Sequence, residues 1–424
     1  MNNKEHIILV MFGISGDLSR RYLLPAIGEM AKVGALSDDF RVVGITRKED
    51  LNIEDLLSKT SNKKDLKEHI DIFQMDATHL EEYKKLDVFL TNIENGFNDK
   101  AKCLFYLSLP PKATREVVEF LGESGLNKKN QSRLVLEKPF GFDLTSATDL
   151  MSSIKKYFHQ ECVYIVDHYL AKKIAQEIIP FREEREDFKK VWNRDFIEKI
   201  EIIVSEKIDI EGRVNFYEKT GAVRDYLQNH LLELLSLVIM DLSNERENKD
   251  MPLLREKILK SVKIKNAIFG QYQEYTDEVN NSESKVETFV SARLESSDST
   301  WSDVPIILST GKAMRERFAE IRIYFKENTE VGKGKLVFNI QPEGKIKWNG
   351  RDISIHLDSE KERLKDAYEY VLFGVMSGDK NLFVGEEEIL QSWHIIEDAR
   401  DLFEKARSNL LIYKKGSNIE ELIK

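Results

Sequence analysis

Over the first third of the chain, short apolar runs alternate with amphipathic stretches. That is the pattern of a parallel α/β sheet whose strands are covered by helices. The runs predict strands at His6–Phe12, Phe40–Ile45, Ile70–Met75, Lys102–Leu109, Arg133–Glu137 and Val163–Val166. Between the first two, Asp17–Lys32 has helical period, with Gly34 as its stop. Pro25 lies inside that stretch and has no N–H to donate, so it predicts a kink or a loosened preceding turn. A further helix is predicted from Asp143–Thr145 to about Phe158.

After Asp167 the texture changes. Helical stretches at Lys172–Arg182 and Arg224–Leu242 flank a strand at Ile197–Glu206. From Val286 onward, alternating patterns predict strands at Phe318–Phe325, Lys335–Ile340 and Ile353–Leu357, and residues 359–410 return to helix. Alternation marks a sheet with one solvated face, so this half reads as α+β with a large, mainly antiparallel sheet. Ser243–Asp250 reads as a charged, exposed loop. The pattern thus predicts a Rossmann-like α/β domain over residues 1–166 and an α+β domain over 167–424.

Composition narrows the function. The 424 residues carry 64 Lys+Arg against 74 Asp+Glu, a formal charge of −10. An acidic surface argues against a nucleic-acid partner. It leaves room for a small anionic substrate, because screening confines surface charge to roughly 8–10 Å. Cys103 and Cys162 both sit in apolar runs and are read as buried thiols, which suggests neither a disulfide framework nor a zinc site. No ligand spacing calls for a metal. The apolar run Ile7–Phe12 is too short to cross a membrane, and no cleavage site follows it, so a cytoplasmic location is expected.

Gly13-Ile-Ser15-Gly16-Asp17-Leu18 follows the first strand and opens the first helix. A glycine at 13 permits a tight turn, and one at 16 lets backbone approach a pyrophosphate at the helix N-terminus. The third glycine of the usual dinucleotide fingerprint is absent. The second strand ends Thr46-Arg47, where an NAD enzyme normally places an acidic residue against the ribose. Arg47 can instead pair with a 2′-phosphate, with Thr46 adding a hydroxyl, which favours NADP.

Three further segments carry chemistry: Asp167-His168-Tyr169-Leu-Ala-Lys172, Arg224-Asp225-x-x-Gln-Asn-His230, and Glu137-Lys138-Pro139-Phe-Gly141. With Tyr106-Leu-Ser-Leu-Pro-Pro111, Glu211-Gly-Arg213, Gly311-Lys312, Gln341-Pro342 and Leu382-Phe-Val384, they resemble the glucose-6-phosphate dehydrogenase family in order, from about residue 8 to 400. The resemblance implies oxidation of β-D-glucose 6-phosphate to 6-phosphogluconolactone with NADP as hydride acceptor, and assembly as a homodimer or tetramer. It implies that His230 is the general base on the C1 hydroxyl and that Asp167 orients it. His168, Tyr169 and Lys172 match phosphate-binding residues, while Glu206 and Asp225 match carboxylates that accept from sugar hydroxyls. Lys312 and Gln341 match further substrate-side groups. Tyr106 and Lys138 match residues near the cofactor, with Lys138 also approaching the substrate.

The chain departs from the family pattern at Ala171 (usually glycine), at Lys173 (usually a carboxylate) and at Ser309, where arginine is common. Ala171 requires a negative φ. Ser309 removes the ground for expecting the second, structural NADP of some members. Two other readings follow: an NADP dehydrogenase for another phosphorylated aldose or amino sugar, and a non-catalytic NADP-binding regulator.

Overall fold

A computed structural model describes residues 6–37, 39–97, 100–243, 250–327, 329–353 and 364–423. The chain divides into two compact units, the first comprising Met1–Gly141, Thr145–His168 and Asp358–Glu386, the second the remainder.

In the first unit, β1 (Ile7–Phe12), β2 (Arg41–Thr46), β3 (Ile70–Gln74), β4 (Lys102–Leu107), β5 (Arg133–Glu137) and β6 (Val163–Val166) are parallel neighbours in the order β6-β5-β4-β1-β2-β3. Val10 of β1 stands between Val43 and Phe105. Every residue of β1 and β4 is buried, because helices cover both faces of a parallel sheet. The order reverses between β1 and β4, and ligands of open α/β sheets bind at the strand ends beside such a switch. The helix after β1 starts as a widened π turn, Ser19–Leu23, and becomes α only at Leu24–Lys32. Pro25 cannot donate into that turn, and the Leu24 N–H instead reaches back to the Ser19 carbonyl. Gly34, at φ +68°, ends it.

A seventh strand, Phe383–Val384, pairs antiparallel with β6 in the register Phe383↔Val166. The return segment that carries it belongs to the first unit, so the division at 166/167 expected from the pattern is too simple. A bare β6 edge would leave unpaired backbone groups, and a late, two-residue strand covers it. Nothing in a two-residue run announces this.

The second unit holds β7 (Ile197–Ser205), β8 (Val262–Tyr272), β9 (Phe289–Ser296), β10 (Ile306–Gly311), β11 (Phe318–Phe325), β12 (Gly334–Gln341), β13 (Lys345–Trp348) and β14 (Arg351–Ile353). They form one sheet in the order β14-β13-β12-β11-β7-β10-β9-β8, with Leu411–Tyr413 at the β8 edge. The pairs β7–β10 and β8–Leu411–Tyr413 are parallel and the others antiparallel. On β11, Ala319, Ile321, Ile323 and Phe325 face the core in strict alternation. The pattern missed β8, whose first half carries Lys263, Lys265 and Asn266 and a bulge between Ile264 and Asn266. The strand expected at Ile353–Leu357 is Arg351–Ile353, and residues 354–357 lie outside the described residues, as does most of the loop expected at Ser243–Asp250. Cys103 is buried as expected, but Cys162 is only half-buried, in a single 3-10 turn ahead of β6. Among the described residues, no helix is long and apolar enough to cross a membrane.

Candidate active site

In the first unit, the turn after β1 can be built only with glycine at its head. Gly13 adopts φ +85°, and a Cβ there would lie 2.6 Å from the Ser108 carbonyl oxygen. The Gly16 N–H donates to the Gly13 carbonyl at 2.9 Å, and the Ser19 hydroxyl adds a second bond to it at 3.0 Å. Ile14 anchors the turn on the sheet by packing over Gly44 of β2, where any side chain would collide with it. Ser15, Gly16 and Leu18 remain partly exposed and Asp17 fully so, at the opening of the helix. Glycines at 13 and 16 ahead of a helix let a pyrophosphate approach the backbone closely. Arg47 stands exposed beyond β2, but the Thr46 hydroxyl is buried and accepts from the Lys48 N–H at 3.1 Å. Thr46 therefore shapes the turn that presents Arg47.

The ends of β4, β5 and β6 carry Tyr106, Glu137, Lys138 and Asp167. Tyr106, expected near the cofactor, is fully buried, and its hydroxyl donates to Glu137 Oε1 at 2.5 Å. Its ring thus supports the end of β5 from within. Burial pushes the Glu137 carboxyl up to about 8; the Tyr106 bond and the Lys138 charge pull down, and Asp167 pushes up. The Lys138–Pro139 bond is cis. Asp167 is buried directly after β6. The His168 ring stacks on Tyr368 of the return segment, centroids 6.3 Å apart. Neither Glu137 nor Tyr368 was assigned a role from sequence. Glu137 stood inside a quoted motif, whereas Tyr368 is two hundred positions from its partner and gives no signal.

In the second unit, Lys312 is the hub. Its side chain is 3% exposed, and its ammonium lies 2.5 Å from Glu206 Oε2 and 3.4 Å from Asp225 Oδ2. β7 and β10 run parallel with Ser205 opposite Gly311, so Glu206 and Lys312, each one residue further on, emerge at the same sheet end. Asp225 arrives on a π-helical stretch, Val223–Leu231, entered through a kink at Gly221. Gly221 has φ +59°, and a Cβ there would lie 2.4 Å from the Glu287 carboxylate. The rings of Tyr217 and Tyr226 lie 5.3 and 5.7 Å from the Lys312 ammonium. Four groups around one buried ammonium make a polar cluster in the second unit.

The same π-helical stretch delivers His230, which is 1% exposed. Its ring lies 4.4 Å from that of Tyr169 and 5.3 Å from that of Tyr226. Gln341, at the end of β12, points its amide at the Tyr169 hydroxyl at 3.5 Å. Lys172 is partly exposed at the N-cap of the helix Lys173–Glu184, where its charge and the free N–H groups both favour an anion. Ala171 is buried and is not among the positive-φ residues, so its methyl is accommodated; Lys173 is exposed. Thus the second unit brings together Tyr169, Glu206, Asp225, His230, Lys312 and Gln341. Tyr217 and Tyr226 join them unforeseen. Tyr226 occupies an unspecified position of the quoted motif, and only its neighbours give it meaning.

The sequence matches the family description "Glucose-6-phosphate dehydrogenase, NAD binding domain" over residues 10–177 and "Glucose-6-phosphate dehydrogenase, C-terminal domain" over residues 179–421. It is 31% identical to the glucose-6-phosphate 1-dehydrogenase of Chlamydia muridarum, covering 97% of this chain and 93% of that protein. It is 29% identical to that of Bacillus subtilis, covering 98% and 95%. A solved glucose-6-phosphate dehydrogenase in complex with its substrate glucose-6-phosphate matches at TM-score 0.85 and 26% identity, over 99% of this chain and 96% of that one. The glucose-6-phosphate 1-dehydrogenase structure from Mycobacterium avium matches at TM-score 0.78 and 27% identity, over 97% and 95%. Two family descriptions that together span almost the whole chain, and the ordered motifs within them, make this protein a member of the glucose-6-phosphate dehydrogenase family.

Proposed function

We propose that the chain oxidises β-D-glucose 6-phosphate at C1 to 6-phosphogluconolactone and reduces NADP. The observation that carries the reading is the cluster of the second unit, where a buried ammonium pairs with two carboxylates and the Tyr226 ring links it to a buried imidazole. Glu206 and Asp225 accept hydrogen bonds from sugar hydroxyls, and Lys312 pairs with both and holds them in place. His168, Tyr169 and Lys172 bind the phosphate, with Gln341 steadying the Tyr169 hydroxyl and Lys138 approaching both substrate and cofactor. His230 takes the C1 hydroxyl proton, and Asp167 orients the imidazole and stabilises its cation. A bound nicotinamide ring supplies the hydride acceptor. The turn from Gly13 through Ser15, Gly16, Asp17 and Leu18 seats the pyrophosphate, and Tyr106 supports Lys138 from beneath through Glu137. A cytoplasmic homodimer or tetramer belongs to the same reading.

Purified protein should form NADPH from glucose 6-phosphate and far less from free glucose, because the phosphate-binding groups then have no partner. Other aldose and amino-sugar phosphates should be poorer by kcat/KM. Absence of NADPH from every hexose 6-phosphate would sink the proposal. Ala171 sits without strain, which removes one ground for expecting a different sugar.

Arg47 carries the choice of cofactor. Arg47→Ala should raise KM for NADP about 10- to 100-fold, the loss of a charge-assisted hydrogen bond, while KM for NAD moves less than about threefold. Equal changes for both cofactors would remove Arg47 from the 2′-phosphate.

A further inference from the structure

A cleft of about 460 Å³ opens in the second unit beside the helix Val214–Ala222. Four cations line it, Lys219, Arg224, Lys285 and Arg407, with one carboxylate, Glu218, among the described residues. None of them belongs to the cluster around Lys312. In a chain of formal charge −10 this is a local excess of the opposite sign, and a concave wall focuses its field.

Hydrogen bonds assemble the four. The hydroxyls of Ser284 and Tyr275 donate to Glu218 Oε1 at 2.8 and 2.7 Å, which fastens the segment ahead of β9 to the helix. Lys219 and Lys285, each the next residue along, are thereby set on the same cleft. The Arg224 guanidinium donates to the Lys219 carbonyl at 2.8 Å and is held over the helix end. Asp225, its neighbour, pairs with Lys312 instead.

The nearby carboxylates leave this charge largely unmatched. Glu218 accepts from the two hydroxyls and from Asn281 Nδ2 at 3.4 Å. Buried Glu287 accepts from the Val223 N–H at 3.2 Å and stands 3.9 Å from the Arg407 guanidinium, beyond hydrogen-bond reach. Glu404 meets Arg407 at 3.4 Å, which leaves most of its five donors for a ligand. Among the described residues, Lys219 and Lys285 have no ion-pair partner.

Two guanidinium forks and two ammonium groups match phosphoryl oxygens. Their charge exceeds the roughly −1.5 to −2 of a single phosphate ester, so the match is to a chain of phosphates. We infer that this cleft binds a polyphosphate anion, as a free chain or as the tail of a nucleotide, at a site separate from those of the sugar and the dinucleotide.

The probes are tripolyphosphate and ATP, titrated calorimetrically into the full chain at about 0.15 M salt, where diffuse attraction is screened. Each titration is repeated with saturating glucose 6-phosphate and NADPH. Tripolyphosphate should bind once per chain with Kd below about 1 mM, and should still bind with both present. Lys219→Glu with Lys285→Glu should weaken it about 10- to 100-fold through lost charge-assisted contacts. The melting temperature should not change, because both side chains are exposed. Lys63→Glu with Lys64→Glu, an exposed pair in the first unit, should change binding less than about twofold. ATP binding at least about tenfold tighter assigns a nucleotide tail, and ATP no tighter assigns a free chain. Three results would overturn the site. They are no binding, displacement by glucose 6-phosphate or NADPH, and a loss in the Lys219 and Lys285 variant no larger than in the Lys63 and Lys64 variant.

Discussion

Replacing His230 with asparagine should lower kcat by about 10²- to 10⁴-fold, the range for removal of a positioned general base, with KM for glucose 6-phosphate changing only a few-fold. Asparagine is close to histidine in size and still hydrogen-bonds, but its amide has no proton affinity near neutral pH. The ring it replaces is buried against Tyr169 and Tyr226, so a purely structural histidine is the rival explanation. That rival predicts lost thermal stability with kcat little changed in whatever remains folded. Proton transfer predicts the reverse, and also loss of the acid limb of the kcat/KM profile against pH. Asp167→Asn should show a smaller fall with the same sign, since an amide can orient the ring but cannot offset its positive charge. Steady-state kinetics on protein of confirmed folding decides. A His230→Asn kcat within tenfold of wild type would take the histidine out of the chemistry.

The second large effect is on stability. Arg255 is fully buried, and its guanidinium meets Glu388 at 2.6 Å through Nε and 3.3 Å through Nη2, with Glu233 at 3.8 Å. These three residues lie on the helices Met251–Leu259, Glu386–Asp398 and Leu232–Ile239 of the second unit. Charges in such a place have lost their hydration and are tolerated only because they face one another. Glu388→Leu takes the carboxylate at 2.6 Å from a buried guanidinium and should cost about 3–5 kcal/mol, or roughly 10 °C in the melting of this unit. Replacing the whole group, as Arg255→Met, Glu233→Gln and Glu388→Leu together, should recover most of that loss, because no uncompensated charge remains. Calorimetry on the single and triple variants separates the two contributions. A Glu388→Leu melting point within about 2 °C of wild type would show that the charges carry no such penalty.

Wherever a local pattern repeats, the tertiary result was legible beforehand. The strands Arg133–Glu137, Val163–Val166 and Phe318–Phe325 occur with the bounds their periodicity predicts. The glycine turn is in the same position, because Gly13 needs its positive φ whatever surrounds it. Legibility failed where charge interrupts the pattern, as in β8, and where a segment is too short to have one, as in Phe383–Val384.

For the site the division falls elsewhere. Residue types in motif order marked Asp167, His168, Lys172, Glu206, Asp225, His230 and Lys312, since the chemistry needs an imidazole, carboxylates and ammonium groups. Sequence could not say that Tyr106 is internal, that burial pushes the Glu137 carboxyl up to about 8, or that the Tyr226 ring lies beside the Lys312 ammonium. These are consequences of dielectric and distance, which depend on residues far apart in the chain.

Sequence by itself determined the alternating α/β texture, the glycine turn after the first strand, the basic residue at the end of the second strand and the candidates for the reacting groups. Each depends on backbone preference or side-chain chemistry, both carried by neighbouring residues. Tertiary structure alone decided that the return segment completes the first sheet, and that one buried ammonium ties Glu206 to Asp225. It also decided that the Tyr226 ring stands edge-on beside His230. Burial turns an ordinary lysine and ordinary tyrosines into parts of one polar cluster, and burial is a property of the folded chain.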